Sequence, residues 1–381
     1  MGKEPANTIE LIKQLKDQGI PEEDYGSYYN RFLEAKARKL KIPLSGSFEL
    51  TPLCNLDCKM CYIHLSGDRF DQKKLLSVDT WEDLIKQSHE AGMLNATLTG
   101  GECLTYPGFD EVYLYLYDLG IRPGILSNGI LMDERRIRFF KQYPPRMIQV
   151  SFYGGSEDAY ERVTGHRAFR TVCQNLSRLQ EENIPVKITI TPNEFMEEDI
   201  RAFLKKVETL HIPYFINANL IPPRKNTGRG LHDIPLDRYI ELYKIQNEKT
   251  KRDLISVDPV DLPDQNHTET KQYGLVCGAG RSAFTIKYDG NMCPCSSLDE
   301  LTVHPLETGF LSAWKLLNEK VSQYPLPVEC GGCIYFDRCL RCIAMHKNAP
   351  EEGHCDPRIC ERTRKLICAG FIPLPEVKPE S

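Results

Sequence analysis

No run of about 18 or more apolar residues occurs in the 381-residue chain, and its start, Met1-Gly2-Lys3-Glu4-Pro5-Ala6, lacks the apolar stretch of an export signal. The expectation is therefore a cytoplasmic protein with no membrane partner. An excess of basic charge is also lacking. A net charge of -5 gives no electrostatic footprint for nucleic acid, so no nucleic-acid partner is expected. The nine histidines form no HxxxH or HxH pair, which excludes a separate histidine metal centre of that kind. Hydrophobic residues at 41% and charged residues at 27% fit a globular protein with a sizeable core.

Cysteine is sparse in the middle of the chain and crowded at its ends. Of fifteen cysteines, three sit together early, ten lie at or after Cys277, and only Cys103 and Cys173 fall between. Without an export signal, such clusters point to metal or redox chemistry rather than disulfides. The early trio lies in Cys54-Asn55-Leu56-Asp57-Cys58-Lys59-Met60-Cys61-Tyr62. Thiolates spaced CxxxCxxC can hold three irons of a cubane [4Fe-4S] cluster and leave the fourth iron without a protein ligand. A structural zinc site closes with four ligands, and His64 is the one nearby candidate to complete a zinc knot.

Residues 8–18 and 22–40 carry helical periodicity and form an N-terminal extension over 1–45. From Gly46 strands alternate with helices. Strands are predicted at 47–51, 96–98, 122–126, 147–152, 186–190 and 214–219, and helices at 79–92, 109–119, 133–142, 168–182 and 197–210. Such alternation implies an α/β fold with parallel pairing, and glycine and polar residues gather just after strand ends, where parallel sheets bind ligands. Six units fall short of the eight of a closed barrel, so a partial (β/α)6 TIM barrel is predicted over 46–220. A Pro/Gly-rich loop at 220–235, a helix at 236–250 and a Pro-rich segment at 258–273 make a linker region over 221–273, followed by a Cys-rich unit over 274–381.

Three motifs follow successive strands. Gly100-Gly101-Glu102 lets backbone approach a ligand and supplies a carboxylate; Ser127-Asn128-Gly129 is a polar turn; Ser151 lies in Gln149-Val150-Ser151-Phe152-Tyr153-Gly154-Gly155, with Arg162 downstream. With the Cys54-Cys58-Cys61 loop, this set resembles the radical S-adenosylmethionine (radical SAM) family. The resemblance implies that the open iron binds SAM and that reductive cleavage of SAM yields a 5'-deoxyadenosyl radical, which abstracts hydrogen from a substrate. It also implies that Glu102, with Gly100 and Gly101, contacts the SAM amino group. Ser127, Asn128, Ser151 and Arg162 are expected to contact the rest of the cofactor. Met60 stands where an aromatic residue commonly stacks on adenine, with Tyr62 adjacent, and Tyr153 stands where an aspartate is usual. Cys103 is read as a buried free thiol.

The later cysteines, Cys277, Cys293, Cys295, Cys330-x2-Cys333-x5-Cys339-x2-Cys342, Cys355, Cys360 and Cys368, resemble a SPASM domain. That resemblance implies two auxiliary [4Fe-4S] clusters. Cys330, Cys333 and Cys339, with Cys360 preferred over Cys355, would hold the outer one. Cys277, Cys295 and Cys342 would hold the inner one, with Cys293 or an open iron in the fourth place. Paired CxxC units also suit zinc, so a non-catalytic zinc-binding scaffold is the alternative of another class.

The resemblance implies oxidation of a peptide, such as a thioether or carbon-carbon crosslink in a ribosomally made peptide. Its enzymatic alternatives are sulfatase-maturase-like protein oxidation and small-molecule dehydrogenation or epimerisation. The implied partners are a peptide, with or without a separate leader-recognition protein because residues 1–45 are few for a winged-helix leader-binding domain, and an electron donor such as flavodoxin or ferredoxin.

Overall fold

The computed structural model describes residues 7–63, 75–196, 200–224, 227, 230–253, 277–336, 339, 342–349, 351 and 353–372. His64 and the Pro-rich segment 258–273 lie outside the described residues. Eight strands form one sheet: β1 (Ser45–Glu49), β2 (Asn95–Thr99), β3 (Gly124–Ser127), β4 (Met147–Phe152), β5 (Val186–Ile190), β6 (Tyr214–Ile216), β7 (Ala283–Ile286) and β8 (Met292–Cys293). Their spatial order is β6-β5-β4-β3-β2-β1-β7-β8. Every pairing from β6 to β7 is parallel, and only β8 runs antiparallel to its neighbour.

The helices are α1 (Thr8–Asp17), α2 (Tyr25–Leu40), α3 (Val78–Glu90), α4 (Phe109–Asp118), α5 (Glu134–Gln142), α6 (Glu157–Thr164), α7 (Phe169–Glu181), α8 (Ile200–Glu208) and α9 (Leu236–Asp253), with further helices in the C-terminal region. The crossovers α3, α4, α5, α6–α7 and α8 connect β1 through β6, giving the partial α/β barrel expected from the alternation. Local chemistry sets their starts: Ser77, Asp133 and Ser156 each accept a backbone N–H of the first helical turn. Leu98, Ile125, Ile148, Val150, Phe152, Ile188 and Ile190 are buried along the strands, as in a sheet covered by crossover helices. Phe48 meets Trp81 and Phe284 edge-on, each at 6.0 Å. Gly46 keeps that corner closed, since a Cβ there would lie 2.6 Å from the Phe284 ring.

The first two helices build a small core of their own from Leu11, Leu15, Tyr28 and Phe32. At the other end, the sheet runs across the expected boundary at residue 274, because β7 pairs in register with β1, Ser45 opposite Ala283 and Phe48 opposite Ile286. Helix Phe310–Ser322 also returns to the barrel. Trp314 Nε1 donates to the Lys41 carbonyl at 2.7 Å, and Phe310 N donates to Gln87 Oε1 at 2.8 Å. The strand predicted over 214–219 ends at Ile216, and the residues after it turn into a cavity at the strand ends.

Candidate functional site

Two loops at the C-terminal ends of β1 and β2 are joined by backbone hydrogen bonds. Gly101 N donates to Thr51 O and Glu102 N to Leu53 O, both at 2.8 Å. The approach is too close for side chains: a Cβ on Gly100 would sit 2.3 Å from Thr51 O, and one on Gly101 2.3 Å from Leu53 O. Gly100 also has φ +148°, a conformation that L side chains rarely adopt.

These loops border an open cavity of about 210 Å³. Cys54, Cys58 and Cys61 line it together with Met60, Tyr62, Gly100, Gly101, Ser127, Asn128 and Ser151. Of the SAM-contacting residues expected from the sequence, two are not in the lining. Arg162 stays on α6, half-buried. The Glu102 carboxyl is fully buried behind the wall. It accepts from Ser127 Oγ at 3.0 and 3.1 Å, from Asn128 N at 2.7 Å and from Leu104 N at 3.2 Å. Its oxygens thus face the chain's own donors, at the back of the loop that carries Gly100 and Gly101. Burial raises its pKa, and those donors pull in the opposite direction.

The lining also includes Tyr153, Thr191, Asn217, Asn219, Leu220 and Ile221. Tyr153 was visible in the sequence only as a departure from a motif. Asn217 was hidden inside the strand predicted over 214–219; it follows Ile216, the end of β6, and its N–H still donates to Ile190 O at 2.8 Å.

The three early thiols have the donor chemistry of a thiolate-held cluster. Leu56 N and the Asn128 side-chain amide lie 3.4 and 3.7 Å from Cys54 Sγ, donors that favour a charged sulfur. Burial nevertheless pushes the Cys54 thiol up to about 11 and raises Cys58 well above its usual value, with the neighbouring thiols adding to the effect. A metal binding here would have to displace protons. Among the described residues, no three His, Cys, Asp or Glu side chains converge on a single-ion site. Cluster thiolates bind separate iron corners and need no such convergence.

The C-terminal cysteines form two groups. Burial pushes the Cys295 thiol up to about 11, and its thiol neighbours are Cys277 and Cys342. Cys293 Sγ instead faces the carbonyls of Thr285 at 3.7 Å and Cys295 at 3.3 Å, and Glu49 is the charge that most raises its pKa after burial. In the second group Cys355 Sγ lies 3.2 Å from Cys360 Sγ, with Cys330 and Cys339 as further thiol neighbours. Cys333 is half-buried three residues after Cys330, its N–H 3.4 Å from the Cys330 carbonyl. The exposed Cys368 ends helix Pro357–Cys368, and Cys103 is fully buried with its thiol 3.4 Å from the Leu126 carbonyl.

Residues 48–207 match the model of the Radical SAM superfamily. The sporulation killing factor maturation protein SkfB of Bacillus subtilis (strain 168) is 25% identical over 267 residues, covering 70% of this chain and 63% of SkfB. The chain thus spans just under two thirds of that relative's length. The antilisterial bacteriocin subtilosin biosynthesis protein AlbA of the same organism is 23% identical over 322 residues, covering 78% of this chain and 68% of AlbA. Streptococcus suis SuiB, solved bound to S-adenosylmethionine, superposes with a TM-score of 0.66 at 16% identity over 93% of this chain and 87% of SuiB, a likeness of fold. The matched segment coincides with the barrel that carries the CxxxCxxC loop, so residues 48–207 carry a Radical SAM domain, and the Cys-rich C-terminal region follows it.

Proposed function

We propose that this chain is a radical SAM enzyme that removes hydrogen from a peptide and closes a thioether or carbon-carbon crosslink in a ribosomally made substrate. The observation that carries the reading is the cavity wall: its three thiols, Cys54, Cys58 and Cys61, all come from one loop. Cys54, Cys58 and Cys61 would hold a [4Fe-4S] cluster that, with SAM bound and one electron supplied, would yield methionine and a 5'-deoxyadenosyl radical; that radical would take one hydrogen atom from the peptide, and the second electron of the oxidation would pass to an auxiliary cluster and its proton to solvent. The relatives support the peptide substrate: SkfB is named for maturation of a sporulation killing factor, AlbA for biosynthesis of the bacteriocin subtilosin, and a further relative at 24% identity is named PqqA peptide cyclase. SuiB has also been solved with its precursor peptide SuiA.

The chain's own residues divide the work. The backbone of Gly100 and Gly101 forms the floor that approaches the cofactor, and Ser127, Asn128 and Ser151 offer polar groups to it. Met60 and Tyr62 form an apolar side for adenine. Leu56, Ile63, Leu126, Leu220 and Ile221 exclude water from the cavity, which protects a radical from side reactions. Glu102 acts from behind, holding Ser127 and the Asn128 backbone in place. Arg162 lies outside the lining, so a contact from it with SAM is not part of this reading.

Cys277, Cys295 and Cys342 would hold the inner auxiliary cluster. Cys330, Cys333 and Cys339, with Cys355 or Cys360, would hold the outer one. The orientation of Cys293 toward two carbonyls and Glu49 favours an inner cluster with three protein thiolates. In the sequence the 1–45 extension precedes the barrel and the 221–273 linker follows it, and β7 joins the sheet from beyond that linker. A low-potential donor of the flavodoxin or ferredoxin class would reduce the N-terminal site in the cytoplasm.

Anaerobic reconstitution tests the reading. Iron near about twelve atoms per chain, release of 5'-deoxyadenosine and a peptide product lighter by two hydrogens support it. Tightly bound zinc with no SAM cleavage rejects it.

A further inference from the structure

Away from the cavity, a buried ion pair lies where the two thiol regions meet. Arg224, in the segment after β6, directs Nη1 and Nη2 at Glu49 Oε2 and Oε1, at 3.0 and 2.6 Å. Glu49 is the last residue of β1, and the two side chains are only 3% and 8% exposed. The guanidinium also donates from Nε at 3.0 Å and Nη2 at 2.6 Å to the carbonyl of Ser296, the residue after Cys295. The Arg224 backbone N–H donates at 2.9 Å to the carbonyl of Tyr62, the residue after Cys61. The Tyr62 hydroxyl and Ser296 Oγ, 3.1 Å apart, close the ring.

One side chain therefore ties the strand that launches the early cysteine loop to the segment carrying Cys295, and its backbone binds the end of that loop. A buried ion pair is weak evidence for stability, because removing two charges from water offsets most of their attraction. A planar fork, however, fixes directions. Guanidinium can serve a carboxylate bidentately and a carbonyl at once, whereas an ammonium is a point donor.

We propose that Arg224, clamped by Glu49, is a positioning residue that sets the separation between the SAM-binding thiol loop and the inner auxiliary thiol site. The inference rests on the reading of both regions as cluster sites. Its structural half is testable without iron.

The experiment uses the full chain with Arg224→Lys, which keeps the charge but loses the fork, and with the double variant Glu49→Leu/Arg224→Met, which leaves no buried charge unpaired. Hydrogen exchange should speed up in both variants within 58–63 and 292–299 while β3 to β5 keep wild-type protection. In the anaerobically reconstituted, dithionite-reduced protein with SAM, the magnetic dipolar coupling between the N-terminal and inner auxiliary clusters should broaden in both, with iron content unchanged. Wild-type exchange in both segments, or restoration of the wild-type coupling by lysine alone, overturns the proposal. Failure of the wild-type protein to take up iron would instead reject the functional reading, with the exchange result still deciding whether Arg224 holds the two segments together.

Discussion

Asn128 donates its backbone N–H to Glu102 Oε2 at 2.7 Å while its side-chain amide donates to Asn55 Oδ1, also at 2.7 Å. One residue on the β3 turn thus links the carboxyl after β2 to the cysteine loop after β1. The cavity floor is held by polar contacts across three strand ends.

Glu102→Gln replaces one of the two accepting oxygens by an NH2 group, which then faces either the Leu104 N–H or the Asn128 N–H, donor against donor. A buried donor left without an acceptor costs about 1–3 kcal/mol. The variant should melt at lower temperature and bind SAM roughly tenfold or more weakly, since each 1.4 kcal/mol is about tenfold. Calorimetry under anaerobic conditions reads both. The pH dependence has a definite sign. Burial raises this carboxyl from 4.5, so the folded state holds the proton more tightly than the unfolded chain, and its contribution to stability falls as pH rises through that shifted range. The stability gap between wild type and Gln should therefore narrow as pH increases, as checked by denaturant titrations across that range.

Gly100→Ala forces a Cβ against Thr51 O at a positive φ. Backbone strain of this kind costs about 1–3 kcal/mol, and the contact adds to it. Separation of the β1 and β2 loops should follow. The expected outcome is a lower melting temperature with loss of SAM binding, compared against Gly26→Ala, where open space surrounds the added methyl and φ is not positive.

Replacing Cys54, Cys58 and Cys61 together by alanine should abolish 5'-deoxyadenosine formation. About four of about twelve irons should be lost and the auxiliary iron retained. Iron analysis with electron paramagnetic resonance separates this from general unfolding, which would remove all of it.

Cys355 and Cys360 stand 3.2 Å apart beside Cys330 and Cys339, so either thiol reaches the same corner of the outer site. Serine at one of the two positions should leave iron content near wild type. Serine at both should lower it by about four atoms per chain. Loss of the cluster from one single variant alone would assign the ligand uniquely.

The positions of β1 to β6 were legible because short stretches with apolar or alternating apolar residues recur between helical segments, as in Met147–Phe152 and Val186–Ile190. For β4 even the bounds, 147 and 152, agree. Helix α6 was hidden within a stretch read for its chemistry, although Ser156 caps it in the ordinary way. The four-residue β7 sits among cysteines, and its pairing with β1 spans more than two hundred residues, which no local pattern encodes. The same limit applies in the site. The spacing of Cys54, Cys58 and Cys61 exposed the thiol loop at once. The direction of the Glu102 carboxyl depends on Ser127 and Asn128, which only the folded sheet brings beside it. The Arg224–Glu49 pair, 175 positions apart, left no signature at all.

Electron-nuclear double resonance on the dithionite-reduced N-terminal cluster, with SAM isotopically labelled at its amino nitrogen and carboxylate oxygens, examines the open iron itself. Hyperfine coupling to both labels, lost when Cys54, Cys58 and Cys61 are replaced, is the expected result. A reduced cluster that shows no coupling to either label, with all four irons held by side chains, would contradict it.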